Sequence, residues 1–115
     1  MHASFWTHLD TLIRSSALVI DRPKGFSRPH APAVVYPLDY SYLQGTSSSD
    51  GEGIDVWRGF LPEGPLDAVV CTVDVRKRDA EMKLLLGCTT AEKLAICNFH
   101  QSAVTAAILV ERSTR

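Results

Sequence analysis

Apolar residues in this chain come in short β-branched runs, each bounded by glycine, proline or a brief polar segment. That punctuation limits the chain to short strands. ALVIDR (17–22), AVVYPLDYSYL (33–43), IDVWRGFL (54–61), AVVCTVDV (68–75), MKLLLGCT (82–89) and AVTAAILVER (103–112) read as strands. PKGFSRPHAP (23–32) carries three prolines and one glycine, GTSSSDGEG (45–53) is a loop by composition, PEGP (62–65) is a turn and RKRDAE (76–81) a polar connection. Pro37 cannot donate to a ladder, so it marks an edge or a bend in the second run. Two segments depart from the pattern. SFWTHLDTLIR (4–14) spaces Phe5, Trp6, Leu9, Leu12 and Ile13 as a helical stripe, with Ser4 able to cap it. The stretch from Thr90 to Ser102 reads as a second helix, with Thr90 as N-cap. Lys93 three residues on denies it a capping box, and Leu94, Cys97 and Phe99 are the inward residues. About five or six strands with two marginal helices imply a mainly β (α+β) fold, a small antiparallel barrel or sandwich.

Charge and cysteine usage narrow the function. The 115 residues suit a single domain over 1–115. Twelve Lys and Arg against 13 Asp and Glu leave a net charge of −1, which argues against a generic polyanion binder and so against nucleic acid. Cys71, Cys88 and Cys97 are odd in number and lack CxxC spacing, so free thiols in a reducing cytoplasm are expected. No apolar stretch reaches the roughly 18 residues of a membrane span. His8, Asp10 and Arg14 make the start unlike a signal peptide. A cytoplasmic protein without a membrane partner is the expectation.

The densest chemistry is Asp50-Gly51-Glu52-Gly53-Ile54-Asp55, three carboxylates within six residues. Converging carboxylates repel unless a cation lies between them, and all-oxygen ligation selects hard ions such as Mg²⁺, Mn²⁺ or Ca²⁺. An EF-hand is excluded, because the alternating ligands are missing and the twelfth position is Leu61. Gly51-x-Gly53 stops short of a dinucleotide fingerprint. A solvated acidic turn is the plain alternative. Against it stands Asp55, set between Ile54 and Val56 at the start of a strand.

Tyr36-Pro37-Leu38-Asp39-Tyr40-Ser41-Tyr42, a Ser/Thr-rich spacer and the run from Asp50 to Trp57 resemble the signature of soluble family I inorganic pyrophosphatases. That signature reads YP-x-NYGY, a short spacer, then DGDPLDVL. Asp39, Ser41 and Gly53 stand where the family has asparagine, glycine and proline. Upstream, VIDRPKG resembles the family's glutamate-containing strand and Pro-Lys-Gly turn, with Asp21 in the glutamate's place. Arg28, eight residues before Tyr36, has the spacing of a phosphate-binding arginine. Glu81-Met82-Lys83 resembles an aspartate-x-lysine step.

The resemblance implies a five-stranded, OB-like, closed or partly closed barrel with flanking helices. It implies hydrolysis of inorganic pyrophosphate to two phosphates with Mg²⁺, Mn²⁺ being possible. Asp50, Asp55 and Glu81 are then metal ligands, joined by Asp21. Glu52 takes the general-base position, one methylene longer than the family's aspartate. Lys24, Arg28 and Lys83 bind phosphate, and Tyr40 donates its hydroxyl. The family's C-terminal Tyr-Lys phosphate pair has no match after Lys83, which leaves Arg58, Arg76 and Arg78 as candidate replacements.

Each of these residues also has a simpler reading. Lys24 and Arg28 suit solvated loop charges, Glu81 with Lys83 a surface pair, and Tyr36 and Tyr40 core aromatics. Trp6 and Trp57 read as core. His2, His8, His30 and His100 lack ligand spacing, and His100 reads as a helix-surface residue. The partners expected are a small phosphate substrate and, to cover apolar surface left by a short barrel, further copies of the chain. A non-catalytic metal- or phosphate-binding protein on the same barrel, or a hydrolase of another phosphoanhydride, are the alternatives.

Overall fold

The computed structural model describes residues 2–112. The amphipathic segments form helices α1 (Ala3–Arg14) and α2 (Thr90–Phe99). The apolar runs form β1 (Leu18–Arg22), β3 (Ala31–Val35), β4 (Asp39–Leu43), β5 (Ile54–Arg58), β6 (Leu66–Asp74), β7 (Asp79–Leu86) and β8 (Thr105–Glu111), and the Pro/Gly-rich stretch 23–32, read as loop, holds the short strand β2 (Ser27–Arg28) and the start of β3. Pro37 acts as a bend: the second run splits around it into β3 and β4. The polar stretch 76–81 is shorter than its composition suggests, because β7 already begins at Asp79.

Six strands form one sheet in the order β1-β4-β5-β7-β6-β8, and β2 pairs with β3 in a separate hairpin. The sheet is not wholly antiparallel, as the strand pattern suggested. β5 and β7 run parallel, with Val56 opposite Leu84 and Trp57 opposite Leu85. The intervening β6 crosses over and folds back antiparallel on the far side of β7. Among the described residues the pairing order ends at β1 and β8, which leaves the sheet open.

Strand alternation sends residues to two cores. On one face Trp57, Ala68, Val70 and Leu85 pack with Tyr36, Leu38, Cys88 and Ile96 of α2. On the other, Val56, Val69, Leu84, Leu43 and Leu66 receive Trp6 and Leu9 of α1. The α1 stripe is narrower than its spacing suggests, since Phe5 is 44% and Leu12 37% exposed. Arg112 ties α1 down through Asp10, donating to both carboxylate oxygens at 3.0 and 2.9 Å.

Helix α2 corrects three expectations. Its N-cap is Thr89, not Thr90, and a capping box is present. Thr89 Oγ1 accepts from the Glu92 amide at 3.2 Å, and Glu92 Oε1 accepts from the Thr89 amide at 2.9 Å. Glu92 also receives the Phe60 amide, so it locks the loop after β5 to the helix start. Leu94 is exposed, whereas Ile96 is fully buried. Two residues apart on a helix is about 200° of rotation, so the two cannot share a face.

Candidate functional site

The same alternation that builds the first core also builds a cleft beside it. On β7, Leu85 points into the core, and Lys83 and Glu81 follow it on the same face toward the strand's start. On β5, Trp57 is followed in the same way by Asp55. Parallel pairing of β5 and β7 sets Asp55 beside Lys83. β4 contributes Tyr40, opposite Trp57, and Tyr42, opposite Asp55. The cleft has a volume of ≈ 730 Å³.

Lys83 is its floor. The residue is 5% exposed. All three of its protons are used: Nζ donates to Tyr40 Oη at 2.8 Å, Asp55 Oδ2 at 3.0 Å and Glu81 Oε1 at 2.8 Å. Tyr40 in turn donates to Asp55 Oδ2 at 2.8 Å. Burial opposes the charge on Lys83, but the Tyr40 oxygen and the Glu81 and Asp55 carboxylates outweigh it and raise its pKa. Burial also pushes the Tyr40 phenol up, so at neutral pH it is a hydroxyl donor and not a phenolate. The pair Glu81–Lys83 is therefore a buried network and not the surface pair its sequence allows.

The acidic loop forms the rim. Gly51 adopts φ +85, which lets the loop fold back so that the Ser48 amide donates to the Glu52 carbonyl at 2.7 Å. Asp50 Oδ1 accepts from Ser48 Oγ at 2.7 Å and from the Glu52 amide at 2.9 Å. Those bonds, the hydroxyl first, hold the Asp50 carboxyl below its ordinary pKa. Glu52 is exposed on the same rim.

Two arginines meet at Tyr36. Tyr36 Oη accepts from Arg28 Nη2 at 3.2 Å and from Arg22 Nη1. Asp21 and Arg22 both reach the cleft although they are neighbours on a strand. The register of β1 against β4 shifts between Ile20 and Arg22, and this irregularity breaks the alternation. Carboxylates and guanidinium groups thus line one opening.

Asp21, Arg28, Tyr40, Asp50, Glu52, Asp55, Glu81 and Lys83 all line this cleft. Lys24 does not: it is exposed, and its amide donates to Asp39 Oδ1 at 2.8 Å. Arg76 and Arg78 are not among the lining residues either. Arg58 is used elsewhere, since its guanidinium donates to the carbonyls of Leu61 (2.7 Å), Gly59 (3.1 Å), Leu86 (3.2 Å) and Pro62. It clamps the turn after β5 and does not replace a phosphate ligand. Sequence reasoning missed Arg22 and His100, which line the cleft, as does Lys77 of the basic run 76–78. His100 is half-buried in the cleft lining and is not the helix-surface residue expected. Burial, with help from the Lys83 charge, pulls its pKa down to about 4. A basic residue beside a strand irregularity was the only available signal for Arg22, and the irregularity is not visible in sequence.

The donor set suits a hard divalent cation in its chemistry. Hydrogen bonds within the protein engage Asp55 through Oδ2, Glu81 through Oε1 and Asp50 through Oδ1. The second oxygen of each carboxylate is left for another ligand. Among the described residues, no three His, Cys, Asp or Glu side chains already converge on one point. No protein-family model matches the chain, and neither a curated protein nor a solved structure does so.

Proposed function

We propose that the protein is a divalent-metal-dependent hydrolase of inorganic pyrophosphate, built as a short OB-like barrel related to family I inorganic pyrophosphatases. The observation that carries this reading is one cleft lined by both carboxylates and guanidinium groups, with Lys83 buried between Asp55 and Glu81. A pyrophosphate anion and its cation need both kinds of group. Arg22 and Arg28, oriented by Tyr36, bind phosphoryl oxygens through their planar forks. Asp50, Asp55 and Glu81 would hold the cation, with Asp21 of β1 as a further carboxylate of the cleft. When bound, Mg²⁺ or Mn²⁺ supplies neutralisation of phosphoryl oxygens and a lowered pKa for an attacking water. Tyr40, kept as a neutral hydroxyl, fixes Asp55 Oδ2. Glu52 on the rim accepts the water's proton at its carboxylate. Water adds to one phosphorus, the bridging P–O bond breaks, and the bridging oxygen leaves with the second phosphate.

Phosphate release from pyrophosphate with Mg²⁺ and with Mn²⁺ tests this reading. Asp55→Asn is expected to abolish release, and turnover unaffected by that change removes the proposed site. One observation favours the alternative of a non-catalytic binder on the same barrel. Lys83 already neutralises two of the carboxylates, as a site for holding an anion at rest would require. Calorimetric binding of pyrophosphate without any turnover selects that alternative. The free state of Cys71, Cys88 and Cys97 suits a reducing compartment such as the cytoplasm. No helix among the described residues is long and apolar enough to cross a membrane. Self-association completes the proposal, through edge strand β8, where Ile108 is 65% and Val110 40% exposed. Light scattering that gives only monomer refutes it.

A further inference from the structure

His100 belongs to no motif, yet its ring lines the cleft. It caps the C-terminus of α2, where its amide donates to the Ile96 and Cys97 carbonyls, both at 3.2 Å. The ring stands edge-on to Trp57 and to Phe99, with centroids 5.7 and 5.3 Å apart. Backbone and ring are therefore both held.

The bond to Trp57 decides where the imidazole proton sits. Trp57 is fully buried, and its Nε1 lies 3.2 Å from His100 Nε2. An indole nitrogen can only donate, so Nε2 must accept. In a neutral ring the proton is then on Nδ1. An imidazolium would oppose an N–H to the indole N–H and leave both unsatisfied. Nδ1 has no protein partner among the described residues, and it is not one of the buried polar atoms that lack one. The residue lines the cleft. The charged groups that face the ring are Lys83 from β7 and Asp55 from β5.

We propose that His100 is a ligand-binding residue, a neutral imidazole whose tautomer Trp57 fixes and whose Nδ1–H donates to a phosphoryl oxygen of the bound anion. This rests on the cleft being a phosphoanhydride site. The arginines supply charge there, and His100 supplies a donor of fixed direction. It joins the cleft only because α2 ends against β5.

Two substitutions separate this role from a purely structural one. Asn at position 100 keeps a nitrogen donor near Nδ1 but loses the acceptor for Trp57. Gln keeps an acceptor near Nε2 but loses the donor. The probe is methylene diphosphonate with Mg²⁺, measured by calorimetry. Binding is expected to weaken roughly ten- to a hundredfold in His100→Gln, the scale of a hydrogen bond to a charged group. It is expected to weaken much less in His100→Asn. Nitrogen-15 spectra of histidine-labelled protein are expected to show the Nδ1–H form at neutral pH, with Nδ1 shifting as the probe is added. If the probe binds but His100→Gln binds it as well as His100→Asn or better, the inference fails and the site stands. An Nε2–H tautomer, or a stationary Nδ1 signal in the bound protein, also overturns it. If the wild-type protein does not bind the probe at all, the reading of the site fails first and the inference with it.

Discussion

Replacing Lys83 by Met keeps the side chain's length and apolar stem and removes only the ammonium group. The structure then leaves Asp55 and Glu81 beside each other without a counter-charge, their side chains only 24% and 18% exposed. Removing one partner of a buried pair costs about 3–5 kcal/mol, because the other charge stays desolvated and unpaired. Both carboxylates here retain some contact with water, so about 2–4 kcal/mol is expected. A domain of this size is stable by about 5–15 kcal/mol, so the variant should fold but melt roughly 10–15 °C lower. The loss should depend on pH. Two unpaired carboxylates raise each other's pKa, and a raised pKa gives stability that is present at low pH and lost as pH rises. The gap between Lys83→Met and the wild type should therefore be small near pH 4 and full near pH 8. Urea denaturation at the two pH values measures it. Mg²⁺ should restore the variant at pH 8 by about 2.7 kcal/mol once it exceeds its dissociation constant a hundredfold. A loss below about 1 kcal/mol that is equal at both pH values would falsify the view that Lys83 holds the carboxylates together.

Three further outcomes are expected. The His100 pKa of about 4 lies below the ordinary 6.5, so the unfolded chain binds the extra proton between these values and stability falls as pH drops through that window. Solvent on the cleft side reduces the effect to about 1–2 kcal/mol, and His100→Phe should flatten this part of the pH–stability curve; an unchanged slope contradicts the assignment. At Gly59 an added Cβ would lie 2.6 Å from Cys88 Cα, which is backbone and cannot move aside. Gly59→Ala should therefore cost about 2–3 kcal/mol in urea denaturation, and a loss under 0.5 kcal/mol would mean the approach is looser than described. Ser41 is 1% exposed and its Oγ has no partner among the described residues, so Ser41→Ala should be neutral or stabilise by up to about 1 kcal/mol. A thermal melt in which the variant unfolds well below the wild type would reveal a partner for that hydroxyl.

The strand runs, the bend at Pro37, the two helices and eight of the cleft's lining residues were legible in the sequence. Each rests on a local cause. β-branched residues fit a pleated surface, proline cannot donate to a ladder, and the alternation around Asp55 and Lys83 sends each to the same face as its core neighbour, Trp57 or Leu85. Local patterning also placed Asp50, Glu52 and Asp55 in one short segment. What it could not supply was partnership between distant residues. Parallel pairing of β5 with β7 brings Lys83 to Asp55, 28 residues away. The register shift in β1 turns Arg22 toward the cleft, and the docking of α2 brings His100 to Trp57, 43 residues away. Arg58 was equally opaque: its basic charge suggested a ligand for phosphate, but the carbonyls that claim it are gathered by the fold of the turn. Residue type and short-range period determine which face of an element is polar. Which polar faces meet, and whether a charge ends there as a ligand or as a clamp, depends on long-range packing that only the tertiary structure resolves.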